Sequence, residues 1–122
     1  MNNYRKKIYI IDDDEDILNV IKIILQMRDY EVVISKTGDE LFTFNEEELP
    51  DVILLDVWIA GIDGRDLCKT IKQNARTKNI PVLFVSANSN IKKITDECLA
   101  DGFIEKPFEM KYLIDKVQAI AY

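Results

Sequence analysis

Short apolar runs of strand length alternate along this chain with segments whose apolar residues recur every three or four positions. The strand-like runs lie at residues 8–11, 31–35, 52–55, 81–85 and 103–104. The helical segments lie at residues 17–25, 38–47, 64–73, 91–98 and 110–120. Five β–α units in strict alternation predict an α/β fold, a doubly wound, five-stranded parallel sheet with helices on both faces and right-handed crossovers.

Length and composition are those of one soluble domain. The chain has 122 residues, of which 48% are hydrophobic and 31% charged, which is enough to form a packed core. No apolar run approaches the roughly 18 residues that a membrane span needs, and the apolar run after the basic start is too short for a signal peptide. We therefore expect a single domain over residues 1–122, in the cytoplasm and not bound to membrane, with no separate output domain.

Charge and side-chain chemistry exclude several function classes. The net charge is −6, from 16 basic and 22 acidic side chains, so direct binding to nucleic acid is not expected. The chain has no histidine, which removes histidine-ligated metals and histidine-activated nucleophiles. Cys68 and Cys98 lie far apart and outside any CxxC pair, so we expect two reduced, buried thiols.

Polar residues follow the predicted strands at the points where the strands end. Asp12 and Asp13 follow the first strand, Asp56 follows the third, Ser86 follows the fourth and Lys106 follows the fifth. In open α/β sheets, ligands bind outside the carboxyl ends of the strands. The topology therefore predicts that these distant segments meet at one edge of the sheet.

Three carboxylates at one edge repel each other unless a cation relieves them. Oxygen ligands without nitrogen or sulfur favour Mg²⁺. Asp56 could then act as an aspartyl nucleophile for a phosphoryl group, with a hydrogen bond from Ser86 and a positive charge from Lys106. Each residue alone also fits an ordinary role, such as helix capping by Asp13 or Asp14, and only their joint placement favours the chemistry.

Four segments, 10–15, 54–64, 85–87 and 103–108, together resemble the receiver (CheY-like) domain of bacterial two-component response regulators. Their order and spacing match over nearly the whole chain. The resemblance implies the flavodoxin-like strand order 2-1-3-4-5, counted along the chain. It also implies a stand-alone phosphoacceptor in a phosphorelay, which catalyses only its own phosphorylation and dephosphorylation.

The resemblance assigns roles by position. Asp56 matches the phosphorylation site, and Asp13 with Asp56 matches the carboxylates that bind Mg²⁺ directly. Asp12 matches the residue that holds a metal-bound water, and the backbone carbonyl of Trp58 matches the remaining protein ligand.

The resemblance also implies a switch. Ser86 matches the hydroxyl that turns toward the phosphoryl group, and Phe103 matches the aromatic residue that follows it inward. The movement repacks the face formed by the fourth helix, the fifth strand and the fifth helix. Lys106 matches the lysine that pairs with the phosphate, and its bond to Pro107 resembles one that is usually cis.

Partners follow from the same resemblance. The absence of histidine places the phosphohistidine donor on another protein, a sensor histidine kinase or a histidine phosphotransfer protein. A downstream protein target is also implied. Ile23 lies off the apolar stripe of the first helix and is a candidate docking contact.

Some positions depart from the family pattern. Ala60 stands where proline is usual, which predicts a less rigid loop. Ser86 replaces the commoner threonine and keeps the hydroxyl. The interval between Ser86 and Phe103 is slightly short, which predicts a shortened fourth helix or a shortened loop before it.

Trp58, two residues after Asp56, is expected to shield an acyl phosphate from water. We therefore predict slow self-dephosphorylation, with a shorter phosphoryl lifetime in Trp58→Asn than in the parent protein. Equal lifetimes of the two labelled proteins would contradict the shielding role.

Three other functions remain open at this point. The first is a receiver-like interaction module that is not phosphorylated. The second is a phosphohydrolase, which generally needs a second aspartate where this chain has Trp58. The third is a flavin-binding domain, for which the chain lacks a glycine-rich phosphate loop.

Overall fold

The computed structural model describes residues 5–59 and 61–121 of the protein. Its strands are β1 (Lys7–Ile11), β2 (Glu31–Ser35), β3 (Val52–Leu55), β4 (Trp58–Ile59), β5 (Ile62–Asp63), β6 (Val82–Ser86) and β7 (Gly102–Glu105). Its helices are α1 (Glu15–Gln26), α2 (Gly64–Gln73), α3 (Ile91–Glu97) and α4 (Met110–Ile120), with short 3₁₀ helices at Asp39–Phe42 and Glu46–Glu48.

Five strands form one parallel sheet in the order β2-β1-β3-β6-β7. The predicted fold is therefore confirmed, since this order is 2-1-3-4-5 when the sheet strands are counted along the chain. The central strand β3 is buried at all four positions, as expected for a parallel strand that is covered on both faces.

Helices cover the two faces of the sheet and create two apolar clusters. One cluster joins α1 and α4 to one face through side chains such as Leu18, Ile21, Leu113 and Val117. The other joins α2 and α3 to the opposite face. The buried sheet side chains alternate between the clusters, because successive residues of a strand point to opposite faces.

Asp14 begins α1. Its side chain accepts hydrogen bonds from the backbone amides of Asp16, at 2.9 Å, and Ile17, at 3.3 Å. Such a cap satisfies amides that the helix itself leaves unpaired. Asp12 and Asp13 therefore precede the cap, at the carboxyl end of β1.

The prediction of a single helix over residues 38–47 is wrong, because this segment forms the two 3₁₀ helices. Of their residues only Leu41 is buried, so the segment lacks the apolar stripe that stabilises an α-helix against a sheet. Polar contacts hold it instead: the Tyr9 hydroxyl donates to Glu40 at 2.8 Å, and Asn45 forms a capping box with Glu48.

The loop predicted after Asp56 contains a small antiparallel hairpin, in which β4 pairs with β5. The expectation for Ala60 lies outside the described residues. Helix α3 corresponds to the fourth helical segment predicted from the sequence, and its short length agrees with the expected shortening. The Lys106–Pro107 bond is cis, as the resemblance implied. No helix in the described part of the chain is long and apolar enough to cross a membrane.

Candidate phosphoacceptor site

Backbone pairing continues one residue beyond the ends of three strands and positions the polar edge. The Asp12 amide donates to the last carbonyl of β2 at 3.1 Å. The Asp56 amide donates to the carbonyl of Ile11 at 3.0 Å, and the Lys106 amide donates to that of Ser86 at 2.9 Å. The hydrogen bonds of the parallel sheet therefore place these three residues at the same level along the strand direction, at the edge of the sheet.

Three aspartates converge at this edge of the sheet, which is called the acidic edge below. Asp12, Asp13 and Asp56 each offer a carboxylate oxygen, and these oxygens lie within 4.8 Å of one another. Asp12 is buried, with 2% of its surface exposed, whereas Asp13 is exposed and Asp56 is half-buried. The expected meeting of these residues is therefore observed.

Lys106 lies among the carboxylates. Its Nζ is 3.0 Å from Oδ2 of Asp12 and 3.6 Å from Oδ2 of Asp56. The Asp12 carboxylate also accepts a hydrogen bond from the Asp14 amide at 3.0 Å. The ammonium is thus within ion-pair distance of two of the three clustered carboxylates. A divalent cation would balance the remaining negative charge, with the oxygen ligands that Mg²⁺ prefers.

Burial raises the pKa of the Asp56 carboxyl to about 6, from an ordinary value of 3.8. Lys106 and the backbone amides of Val57 and Trp58 lower this pKa, and the charge of Asp12 raises it. Removal of the carboxylate from water is therefore the largest effect. A positive ion beside Asp56 would favour the ionised form that nucleophilic attack requires.

Without divalent cations, Asp56→Asn should stabilise the protein at about pH 7 by roughly 1–2 kcal/mol, after allowance for partial exposure. The pKa of Asp56 in the folded state lies above its value in the unfolded state. Protonation of Asp56 therefore stabilises the folded state below about pH 4, and this stabilisation is lost as the pH rises through about 6. The gain should shrink as the pH falls from about 7 to about 4 in urea unfolding with a chelator. Asp16→Asn, at an exposed helix position, should show no such trend, and a pH-independent gain in Asp56→Asn would contradict the prediction.

Ser86 and Phe103 lie on the same side of the sheet. Phe103 pairs in register with Phe84, two residues before Ser86 on β6, and side chains two residues apart share a face. Ser86 is 4% exposed, and its hydroxyl oxygen accepts the Asn88 amide at 3.1 Å. Phe103 is only partly buried against the α2–α3 cluster.

Trp58 projects from the hairpin with 58% of its surface exposed. The guanidinium of Arg65 lies 5.4 Å from its ring centroid and also forms an ion pair with Asp63 at 2.7 Å. Sequence patterns did not predict this stacking. The ligand role of the Trp58 carbonyl and the shielding role of its ring stay predictions.

Gly64, at the start of α2, is a second residue whose role sequence patterns did not predict. A Cβ atom there would meet the carbonyl oxygen of Asp56 at 2.1 Å. The start of α2 therefore packs directly on the backbone of the candidate acceptor.

Cys68 and Cys98 are buried and not disulfide-bonded, as expected. Burial raises the pKa of the Cys68 thiol to about 12, which keeps it protonated and unreactive. Ile23 is 58% exposed on α1, in agreement with its predicted position off the apolar stripe. Its docking role stays a prediction.

A family model described as the response regulator receiver domain matches residues 8–118. The chain belongs to this family. The receiver match covers the sheet, both helical faces and the acidic edge. The assignment therefore rests on nearly the whole described chain.

Individual relatives agree with this family assignment. The chain is 36% identical over 115 residues to the nisin biosynthesis regulatory protein NisR of Lactococcus lactis subsp. lactis, covering 93% of this chain and 49% of that protein. A CheY-like response regulator receiver domain protein from Methanospirillum hungatei superposes with a TM-score of 0.84 at 26% identity, covering 97% of this chain and 94% of the other. The receiver domain of NtrX from Brucella abortus superposes with a TM-score of 0.81 at 28% identity, covering 93% of this chain and 97% of the other. The chain spans about half the length of the curated relatives it matches.

Proposed function

We propose that this protein, working as one receiver domain, takes a phosphoryl group onto Asp56 from a partner phosphohistidine in a Mg²⁺-dependent reaction. One observation carries the proposal: Asp12, Asp13 and Asp56 converge within 4.8 Å, and Lys106 contacts two of them. Phosphoryl transfer needs this combination of positioned nucleophile, cation-binding carboxylates and fixed positive charge.

The chain's own residues would divide the work. Asp13 and Asp56, with the Trp58 carbonyl and a water held by Asp12, would bind Mg²⁺. When bound, this ion neutralises charge on the phosphoryl oxygens. A carboxylate oxygen of Asp56 forms the bond to phosphorus as the bond to the donor's imidazole nitrogen breaks.

The modified protein would then change its surface. The Ser86 hydroxyl turns to donate to one phosphoryl oxygen, and Lys106 pairs with another. Phe103 moves inward into the space beside Ser86. The readout surface is the face formed by α3, β7 and α4, where a downstream protein target binds.

A groove beside the acidic edge supports the docking of a partner. Its volume is about 360 Å³, and it is lined mainly by apolar side chains: Ile17, Val20, Ala87, Lys106, Pro107 and Phe108. The chain contains no histidine, so these residues cannot supply the phosphohistidine themselves, and a sensor kinase or phosphotransfer protein is the proposed donor. Exposed Ile23 lies on the same helix as Ile17 and Val20 and extends this candidate surface.

Treatment with acetyl phosphate and Mg²⁺, followed by mass spectrometry of the intact protein, tests the proposal. We expect one base-labile phosphoryl group on the parent and none on Asp56→Asn. Omission of Mg²⁺ or addition of a chelator should prevent labelling of the parent, because the acidic edge then lacks its cation.

Asp16→Asn is the matched control, since it removes an exposed acid from the first turn of α1 and should label like the parent. An unlabelled parent would favour the alternative, a receiver-like interaction module that binds partners without phosphorylation. Equal labelling of Asp56→Asn and the parent would refute Asp56 as the acceptor.

A further inference from the structure

The ammonium of Lys116 lies against two aromatic rings at the edge of the sheet. Its Nζ is 5.8 Å from the ring centroid of Phe103 and 5.8 Å from that of Tyr112. Both distances are within cation–π range. Among the residues that the structure describes, no carboxylate lies within ion-pair distance of this ammonium, so the two rings are the partners that define its position.

The contact crosses from one face of the sheet to the other. Lys116 is on α4, whose buried residues pack on the α1–α4 face. Phe103 packs against the opposite cluster, beneath α2 and α3. Because β7 is an edge strand, the lysine can reach around it, and Tyr112, one helical turn before Lys116, completes the site.

We propose that Lys116, together with Tyr112, is a positioning residue that holds the Phe103 ring at the edge of the sheet and opposes its movement toward Ser86. This inference rests on the proposed function, because it assumes that modification of Asp56 draws Phe103 inward. A ring that moves inward leaves the ammonium and loses the cation–π attraction. The lysine thereby sets how readily the switch responds.

Linkage turns this contact into a measurable affinity. A side chain that favours one position of Phe103 weakens the binding of any ligand that favours the other position, by at most the free energy of that preference. Beryllium trifluoride with Mg²⁺ is an analogue of an aspartyl phosphoryl group. Removal of the Lys116 charge should therefore tighten binding of this analogue at Asp56.

The experiment compares Lys116→Met, Lys116→Arg and the parent in titrations with beryllium trifluoride at fixed Mg²⁺. The chain has a single tryptophan, Trp58, so fluorescence reports directly beside the acceptor. We expect Lys116→Met to bind about two- to fivefold more tightly than the parent. Lys116→Arg should restore the parent affinity, since a guanidinium also interacts with aromatic faces.

Lys111→Met is the matched control. It makes the same charge change on the same helix, but Lys111 pairs with Asp115 at 2.9 Å in an exposed position. The control should bind the analogue as the parent does. Equal tightening in the control would overturn the inference, because a general charge effect would then explain the result.

A double-mutant cycle keeps the inference testable without any phosphoryl analogue. Unfolding free energies of Lys116→Met, Phe103→Leu and the double variant should show favourable coupling between the two side chains. Additive effects, or a parent affinity in Lys116→Met, would overturn the inference while the proposed function stood. Failure of the parent to bind the analogue would overturn the proposed function and the switching role, while the cycle would still show whether Lys116 holds the ring.

Discussion

Alanine in place of Gly64 should cost about 3 kcal/mol or more of the free energy of unfolding. A Cβ atom at this position would lie 2.1 Å from the carbonyl oxygen of Asp56 and 2.7 Å from that of Val57. Both are backbone atoms, so no side-chain rotation relieves the overlap. The Gly64 amide already donates to the Val57 carbonyl at 2.5 Å. Helix α2 would have to move away from the end of β3, and Asp56 would shift as well.

Gly61→Ala is the control that separates crowding from backbone strain. Gly61 has a φ of +82°, and a Cβ atom at this position would meet no heavy atom of the described residues within 4 Å. Its replacement should cost only about 1 kcal/mol, from the left-handed conformation. Urea unfolding of both variants with a chelator provides the comparison. A Gly64→Ala variant within about 1 kcal/mol of the parent would contradict the crowding argument.

Phosphoryl labelling measures whether the crowding at Gly64→Ala also displaces the acceptor Asp56. Where Gly64→Ala retains a folded fraction, its labelling per folded molecule should fall, because the Asp56 carboxylate no longer lies at its place beside Asp12 and Lys106. Gly61→Ala should label at nearly the parent rate. Normal labelling of folded Gly64→Ala would show that α2 can shift without moving the acceptor.

The sheet was predictable because its strands are nearly continuous apolar runs. Strand β3 is buried at all four positions, and no helical pattern competes with it over so short a run. The convergence of Asp12, Asp56 and Lys106 followed from topology, because the carboxyl ends of parallel strands meet at one edge. The order of the strands came from the family resemblance, since apolar periodicity alone does not specify which strands are neighbours.

The features that were missed depend on contacts between distant residues. Lys116 occupies a helix position where a lysine ordinarily faces solvent, and only the folded edge of β7 brings it to Phe103. The close approach of Gly64 to Asp56 likewise depends on the path of the chain through the hairpin. The segment 38–47 was wrongly predicted as one helix, because its apolar residues do not form the buried stripe that stabilises an α-helix on a sheet.

Replacement of Lys106 by methionine should destabilise the protein by about 2–4 kcal/mol when divalent cations are absent. The lysine side chain is 19% exposed, and its Nζ lies 3.0 Å from Asp12, whose side chain is only 3% exposed. Without the ammonium, a buried carboxylate loses its charge partner. Protonation of Asp56, whose pKa is already raised to about 6, would relieve only part of the repulsion, because Asp12 and Asp13 remain beside it.

Lys111→Met is again the matched control, because it removes the same charge from an exposed pair with Asp115, whose members are 85% and 55% exposed. Such pairs contribute little, so its loss should stay below about 0.5 kcal/mol. Urea unfolding of both variants and the parent in a chelator measures the difference. Equal losses in the two variants would show that the Lys106 pair contributes no more than a surface ion pair.

Mg²⁺ should then restore part of the stability that Lys106→Met loses. Removal of the ammonium takes away the positive charge that contacts Asp12 and Asp56 in the three-carboxylate cluster, so a divalent ion should bind the variant more tightly than the parent. A ligand that binds only the folded state stabilises it by an amount that grows with its affinity. The stabilisation by Mg²⁺ should therefore be larger in Lys106→Met than in the parent, and unchanged in Lys111→Met. If Mg²⁺ stabilised the parent and Lys106→Met equally, the lysine and the ion would not share one electrostatic site, and the acidic edge would lose its role as the cation-binding centre.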